Sequence, residues 1–220
     1  MYQYLFFDLD GTLTDSALGI TNAVMHALDR FGMDVPDRSA LYRFVGPPLS
    51  KSFQKYYGFS EEKADLAVTY FRDYYLDKGM YENKVYDGIE DTLQELKNLG
   101  FQLYVATAKP EVTARSILEY LHLEQYFTYM GGATMDKSRT TKSSVIQYVL
   151  NTCNITDSSK VLMIGDREDD ILGARSQGLY SMGVLYGYGS REELENAGAN
   201  CIVEHISDII PSVLTHSQLV

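Results

Sequence analysis

An α/β architecture, with a parallel sheet covered by helices on both faces and an all-helical segment inserted after its first strand, is predicted by three features of the sequence. From residue 82 onward, short apolar runs alternate with segments of helical periodicity. The runs are almost continuously apolar, as strands buried on both faces must be. From 15 to 81 the signals are helical throughout, and no strand pattern interrupts them. The chain therefore divides into a Rossmann-like core, residues 1–14 and 82–220, and a helical cap, residues 15–81.

The first strand is QYLFF, Gln3 to Phe7, which ends at Asp8. Ala17, Ile20, Val24, Ala27, Leu28 and Phe31 then recur at helical spacing until Gly32 stops the pattern. Leu41 to Phe44, Phe53 to Tyr57 and Ala64 to Leu76 continue the helical block, punctuated by Gly46-Pro47-Pro48 and Gly58. In the core, Glu90 to Leu99 reads as a helix, Phe101 to Ala106 as a strand and Val112 to Leu121 as a helix. A short strand ends at Tyr129 and Met130, before Gly131-Gly132. Ser143 to Asn151 is a helix, Lys160 to Ile164 a strand and Ile171 to Gln177 a helix. Two further strands, Tyr180 to Leu185 and Asn200 to Val203, flank a helix from Arg191 to Ala197.

With 220 residues, 45% of them hydrophobic and 22% charged, the chain can bury a core with a smaller insert. It has no apolar run of about eighteen residues, so no membrane span is expected. The start, MYQYLFFDLDG, lacks the basic region of a signal peptide. Cys153 and Cys201 show no ligand-like spacing, and a reduced, cytoplasmic setting is the expectation. The formal charge of −11 argues against nucleic acid as a partner, since that needs a basic footprint. The same charge repels phosphorylated ligands, so a phosphate site here must reverse the local sign.

In open parallel sheets, ligands bind beyond the carboxyl ends of the strands. Those ends carry Asp8-Leu9-Asp10-Gly11-Thr12, then Thr107-Ala108-Lys109-Pro110, then Gly165-Asp166-Arg167-Glu168-Asp169-Asp170. Taken singly, each of these signals is weak. Asp-x-Asp and Gly-Asp are common in turns, and Lys109 or Lys142 alone would be read as surface charges. Their joint occurrence at strand ends is what points to one shared polar site. Asp8, Asp10 and Asp166 offer hard oxygen donors that suit Mg²⁺, and Gly11 allows a tight turn that brings backbone N–H groups to an anion.

These motifs resemble those of the haloacid dehalogenase superfamily. DLDGTLTDS, from Asp8, is similar to its first motif, Thr107 in VATAKP to its second, Lys142 in RTTKSSVI to its third and GDREDD, from Gly165, to its fourth. GPPL at Gly46 and YGYGS at Tyr186 make the chain most similar to the phosphoglycolate phosphatase-like branch, which carries a small helical cap. The resemblance implies a phosphatase with Asp8 as nucleophile and Asp10 as general acid and base. It implies that Mg²⁺ is held by Asp8, the Asp10 backbone carbonyl and Asp166, with Asp170, and more weakly Asp169, in support. Phosphate contacts are implied for Asp8, Gly11, Thr107, Ala108 and Lys142, with Lys109 in a supporting place. Many relatives carry Asn where Ala108 stands, which alters side-chain contacts beside the phosphate. The expected ligand is a small phosphorylated metabolite, phosphoglycolate-like or a nucleoside monophosphate. The expected state is monomer or homodimer. A phosphomutase of the β-phosphoglucomutase type and a pyrophosphatase remain alternatives on the same motifs. In the cap, Arg43, Gly46 and Lys51 are the candidates for substrate choice. The cap's many tyrosines recur at helical spacing and fit packing of its own core better than stacking on a base.

Overall fold

A computed structural model describes residues 1–217. In chain order these residues form β1 (Tyr4–Phe7), β2 (Thr14–Asp15), α1 (Ala17–Asp29), α2 (Leu49–Tyr57), α3 (Glu61–Tyr75), β3 (Lys84–Val85), α4 (Ile89–Asn98), β4 (Gln102–Pro110), α5 (Glu111–Tyr120), β5 (Tyr129–Ala133), α6 (Lys142–Thr152), β6 (Val161–Gly165), α7 (Glu168–Ser176), β7 (Tyr180–Val184), α8 (Arg191–Ala197), β8 (Cys201–Val203) and α9 (Ile209–Ser217), with short 3₁₀ turns between them. Among the described residues the main sheet has the order β5-β4-β1-β6-β7-β8, and its strand pairs are all parallel. None of the described helices is long and apolar enough to cross a membrane.

The apolar character of β1 follows from its central place. Leu5 and Phe7 point into the core on one face, with Leu103, Val105, Leu162 and Ile164 from the neighbouring strands. Phe6 points to the other face, among Tyr104, Ala106, Val161, Met163 and Val149. Both faces are buried, so the run cannot alternate with polar residues. Asp8 ends it, and its N–H donates to the Ile164 carbonyl at 2.9 Å.

Two strands run further than the sequence pattern predicts. β4 continues from Ala106 to Pro110, with a break in its register to β5 between Thr107 and Pro110. Ala108 and Lys109 lie in that irregularity, where a strand is bent away from its regular pairing. β5 continues through Gly131-Gly132 to Ala133 instead of ending before them. These glycines are in the sheet because of close approach: a Cβ on Gly132 would fall 2.6 Å from Glu111 Cα and 2.7 Å from the Lys109 carbonyl oxygen. α9 and the two-residue strands β2 and β3 were not expected. β2 and β3 pair antiparallel, Thr14 with Val85 and Asp15 with Lys84, so the segment leaving the core and the segment returning to it are held together.

Between β2 and β3 the chain forms only helices and turns. Its aromatic residues pack largely on one another, as their spacing predicts. Phe44 meets Phe53 at 5.1 Å, Phe31 meets Tyr70 at 5.6 Å, and Phe53 stacks on Phe59 at 5.9 Å. Tyr74 lies against His26 and its hydroxyl donates to Glu82 at 3.0 Å.

Gly132→Ala is expected to destabilise the protein by about 2 kcal/mol or more, because a methyl forced against backbone atoms cannot be accommodated by rotamer changes. Urea unfolding followed by circular dichroism checks this.

Candidate active site

The carboxyl ends of β1, β4 and β6 meet at one edge of the sheet. There Asp8, Asp10, Thr107, Lys142, Asp166 and Asp170 are all buried. Lys142 is the first residue of α6, whose start is fixed by a reciprocal Thr141–Ser144 capping box. A cation at that end of a helix opposes the helix dipole, and two carboxylates offset the cost. The Lys142 Nζ is 2.7 Å from Asp8 Oδ1 and 2.7 Å from Asp170 Oδ1, and it donates to the Ala106 carbonyl at 2.9 Å. Asp170 is itself placed by α7, where it accepts from the Arg167 N–H at 3.1 Å. Asp166 accepts from the Tyr188 N–H at 2.8 Å and from the Thr12 hydroxyl at 3.3 Å. Asp10 pairs with Lys109, Oδ2 to Nζ 2.7 Å, with both side chains less than a tenth exposed.

Burial alone would pull the two lysines down. The charges of Asp170 and Asp8 hold Lys142 above its ordinary range, and Asp10, with Tyr75, does the same for Lys109. Burial pushes Asp166 well above the usual carboxylate range, and the neighbouring charges of Asp170 and Asp8 add to it. Burial also raises Asp170, against the opposing pull of Lys142.

The donor set fits a divalent metal ion. Oxygens of Asp8, Asp166 and Asp170 lie within 4.8 Å of one another. The four buried carboxylates, set against the two buried ammonium groups, leave a formal charge of two negative. Asp10 Oδ1 is buried with no hydrogen-bond partner among the described residues, and Asp8 Oδ1 and Asp170 Oδ1 face the Lys142 ammonium off the hydrogen-bond axis. All-oxygen, acidic donors of this kind suit Mg²⁺.

Several residues stand differently from the sequence expectation. The Asp10 side chain is engaged by Lys109 and lies outside the three-carboxylate group. The Gly11 N–H donates to the Thr14 carbonyl at 2.8 Å, so that amide is not free for phosphate. Gly11 is required instead by its positive φ of 82° and by Asp166, whose Oδ2 lies 2.3 Å from where a Cβ would stand. Asp169 is exposed and is not one of the three carboxylates that come together, as Asp170 is. Ala108 and Lys109 line the cavity beside Asp10.

That cavity, of ≈ 430 Å³, lies between the helical segment and the core. Of the candidates for substrate choice, Gly46 and Lys51 line it. Arg43 does not: its guanidinium stacks over the Tyr56 ring at 4.2 Å, on an exposed part of the segment. The cations that do line it beside Lys51 and Lys109 are Arg72 and Lys137, which sequence reasoning missed. Lys137 reaches from the loop after β5 to Asp65 of α3, Nζ to Oδ2 2.6 Å. Arg167 makes a second bridge, donating to the Val45 carbonyl at 2.8 Å while its Nε donates to Glu193 at 2.8 Å. Tyr75 was also missed, because at i+4 from Phe71 it carries the same signal as the packing tyrosines.

The model of the haloacid dehalogenase-like hydrolases matches residues 5–184, and the chain belongs to that family. A 5'-nucleotidase of Pseudomonas aeruginosa is 44% identical to it over 193 residues, 88% of this chain and 87% of that protein. The tyrosine-protein kinase PtkA of Mycobacterium tuberculosis is 36% identical over 94% of this chain and 70% of its own length. A crystal structure described as a "predicted phosphatase" from Clostridium acetobutylicum superposes with a TM-score of 0.95 at 51% identity, covering 98% of this chain and 99% of that one. Fold, family and relatives together make the chain a phosphoric monoester hydrolase.

Lys142→Met is expected to leave Asp8 and Asp170 without their buried counter-charge and to cost about 3–5 kcal/mol. Chemical unfolding of the metal-free protein, beside the wild type, checks this.

Proposed function

We propose that this phosphatase is Mg²⁺-dependent and hydrolyses nucleoside monophosphates through an aspartyl-phosphate on Asp8. The convergence of Asp8, Asp166, Asp170 and Lys142 at one sheet edge, with the Asp10–Lys109 pair beside it, is the observation that carries the reading.

In this mechanism Asp8, Asp166 and Asp170 would hold the metal ion, which would supply positive charge to neutralise the phosphoryl oxygens. Asp8 attacks phosphorus, and the bond between phosphorus and the leaving oxygen breaks as the acyl phosphate forms. Lys142 balances the charge on Asp8 and on the transferring phosphoryl group. The Thr107 hydroxyl accepts from the Lys109 N–H at 3.2 Å, which leaves its own proton to donate to a phosphoryl oxygen. Asp10, held by Lys109 and carrying a proton when the ester is bound, gives it to the leaving oxygen. It then takes one from water, whose oxygen bonds to phosphorus as the bond between phosphorus and the Asp8 oxygen breaks. Phosphoryl transfer depends mainly on position and charge, so these few groups suffice.

Two things support a nucleotide over phosphoglycolate. The relative at 44% identity carries the name 5'-nucleotidase. A cavity of ≈ 430 Å³ also suits a ligand far larger than a two-carbon acid, and small-molecule sites run from about 300 Å³ upward. The helical segment acts as a cap in this reading, with Lys51 and Arg72 facing the leaving group.

Phosphate release should be measured over a panel of nucleoside 5'-monophosphates, phosphoglycolate, sugar phosphates and pyrophosphate. Nucleoside monophosphates are expected to give the highest kcat/KM. Phosphoglycolate at the head of the ranking would overturn the substrate class, and a requirement for a sugar bisphosphate would indicate a mutase. Asp8→Asn is expected to retain the fold and lose at least about 10⁴-fold in kcat, as loss of a covalent nucleophile does.

A further inference from the structure

One cap residue enters the catalytic group in a way that packing does not explain. Tyr75, the last residue of α3, is 4% exposed and lines the cavity together with Asp10 and Lys109. Its ring is fixed by stacking on Phe71, with centroids 5.0 Å apart at 20°. The Lys109 Nζ lies 4.8 Å from its ring centroid. The Tyr75 hydroxyl is buried with no well-aligned hydrogen-bond partner among the described residues. Burial pushes its pKa up to about 12, so it keeps its proton. Lys109 is a donor only, and a hydroxyl beside it can at most accept. The phenolic proton therefore has no acceptor, and a buried donor without one is costly.

A second orphan lies nearby. Asp10 Oδ1 is buried and unpartnered, while Oδ2 is held by Lys109 at 2.7 Å. One lysine thus anchors the carboxylate that serves the leaving oxygen and also adjoins a phenol with a proton to give. We infer that the Tyr75 hydroxyl is a specificity-determining donor to a second oxygen of the substrate, an ether or hydroxyl oxygen two carbons along from the ester oxygen that Asp10 protonates. The substrate class is a phosphomonoester of an alcohol oxygenated at that position, a description that a ribose 5-phosphate group fits through its ring oxygen. The inference rests on the phosphatase reading and on Asp10 serving the leaving group, but it does not need the base of a nucleotide.

Two near-isosteric esters isolate the contact. 2-Methoxyethyl phosphate carries an ether oxygen where butyl phosphate carries a methylene. The wild-type protein, with Mg²⁺ present, is expected to favour the methoxyethyl ester by roughly tenfold in kcat/KM, the size of one hydrogen bond made in a desolvated pocket. Tyr75→Phe is expected to bring the ratio near one and to lower kcat/KM on a nucleoside 5'-monophosphate by a similar factor. The thermal unfolding midpoint of the variant should change little, since the phenolic proton removed has no acceptor among the described residues and the ring that faces Lys109 is kept; a purely structural role for that hydroxyl would lower it. A wild type that turns over both esters without preference overturns the inference and leaves the phosphatase reading standing. So does a preference that survives in Tyr75→Phe. A wild type that releases phosphate from no ester overturns both.

Discussion

Four carboxylates buried at one edge of a sheet, with two lysines to balance them, are the constraint on which the rest of this structure depends. Such a group cannot be stable as a bare cluster. Burial raises Asp166 and Asp170, and neighbouring acids add to the effect. The two lysines are spent on different members: Lys142 on Asp8 and Asp170, Lys109 on Asp10. The remaining charge matches a divalent ion. This also resolves the difficulty set by a chain of net charge −11 that handles phosphate. The sign is reversed locally, where the two lysines, and the divalent cation we propose, would act at short range in a low-dielectric site where the acidic surface matters little.

The fold serves that constraint through its strand ends. Parallel pairing of β1 with β4 and β6 points their carboxyl ends the same way, so the segments that follow all three meet at one edge. The bulge in β4 turns Lys109 toward Asp10, and α6 and α7 present Lys142 and Asp170 from their first turns. The helical segment covers the opening, tied to the core by the β2–β3 pair and by the Arg167 and Lys137 bridges. Arg167 adjoins Asp166 in the chain, so the loop at Val45 of the helical segment is joined through one side chain to a residue of the three-carboxylate group.

Asp10 and Asp170 were legible in the sequence from the motifs around them. Asp8 and Asp166 were legible because each stands at the end of an apolar run that must be a buried strand, and a polar residue at such an end is costly unless it has partners. The core strands were legible for the same reason. β2 and β3 were not, since two residues carry no periodicity, and β5 was cut short because Gly131-Gly132 reads as a turn when only the local chain is seen. Its actual cause, close approach of Glu111, is a tertiary fact. For Gly11 the tight turn was legible and its φ of 82° fits it, whereas the use of its amide by Thr14 and the exclusion of a side chain by Asp166 are tertiary facts. In the cap, composition could not separate Arg43, stacked outward on Tyr56, from Arg72, which lines the cavity. Nor could it separate Tyr75 from Tyr70 and Tyr74. Which face of a helix meets the core is decided by packing between segments, and spacing along one helix is blind to it.

The central claim, that the carboxylate cluster is built around a divalent cation, is tested most directly by thermal unfolding of the metal-stripped protein across a Mg²⁺ titration, with Asp166→Asn as the companion. Ligand linkage stabilises the folded state by RT ln(1 + [L]/Kd). The account predicts a saturable rise in the midpoint for the wild type. It predicts a higher starting midpoint for Asp166→Asn, which sheds one buried charge, and little further rise with Mg²⁺. A wild-type midpoint that does not respond to Mg²⁺, or an Asp166→Asn variant that responds as the wild type does, would contradict it.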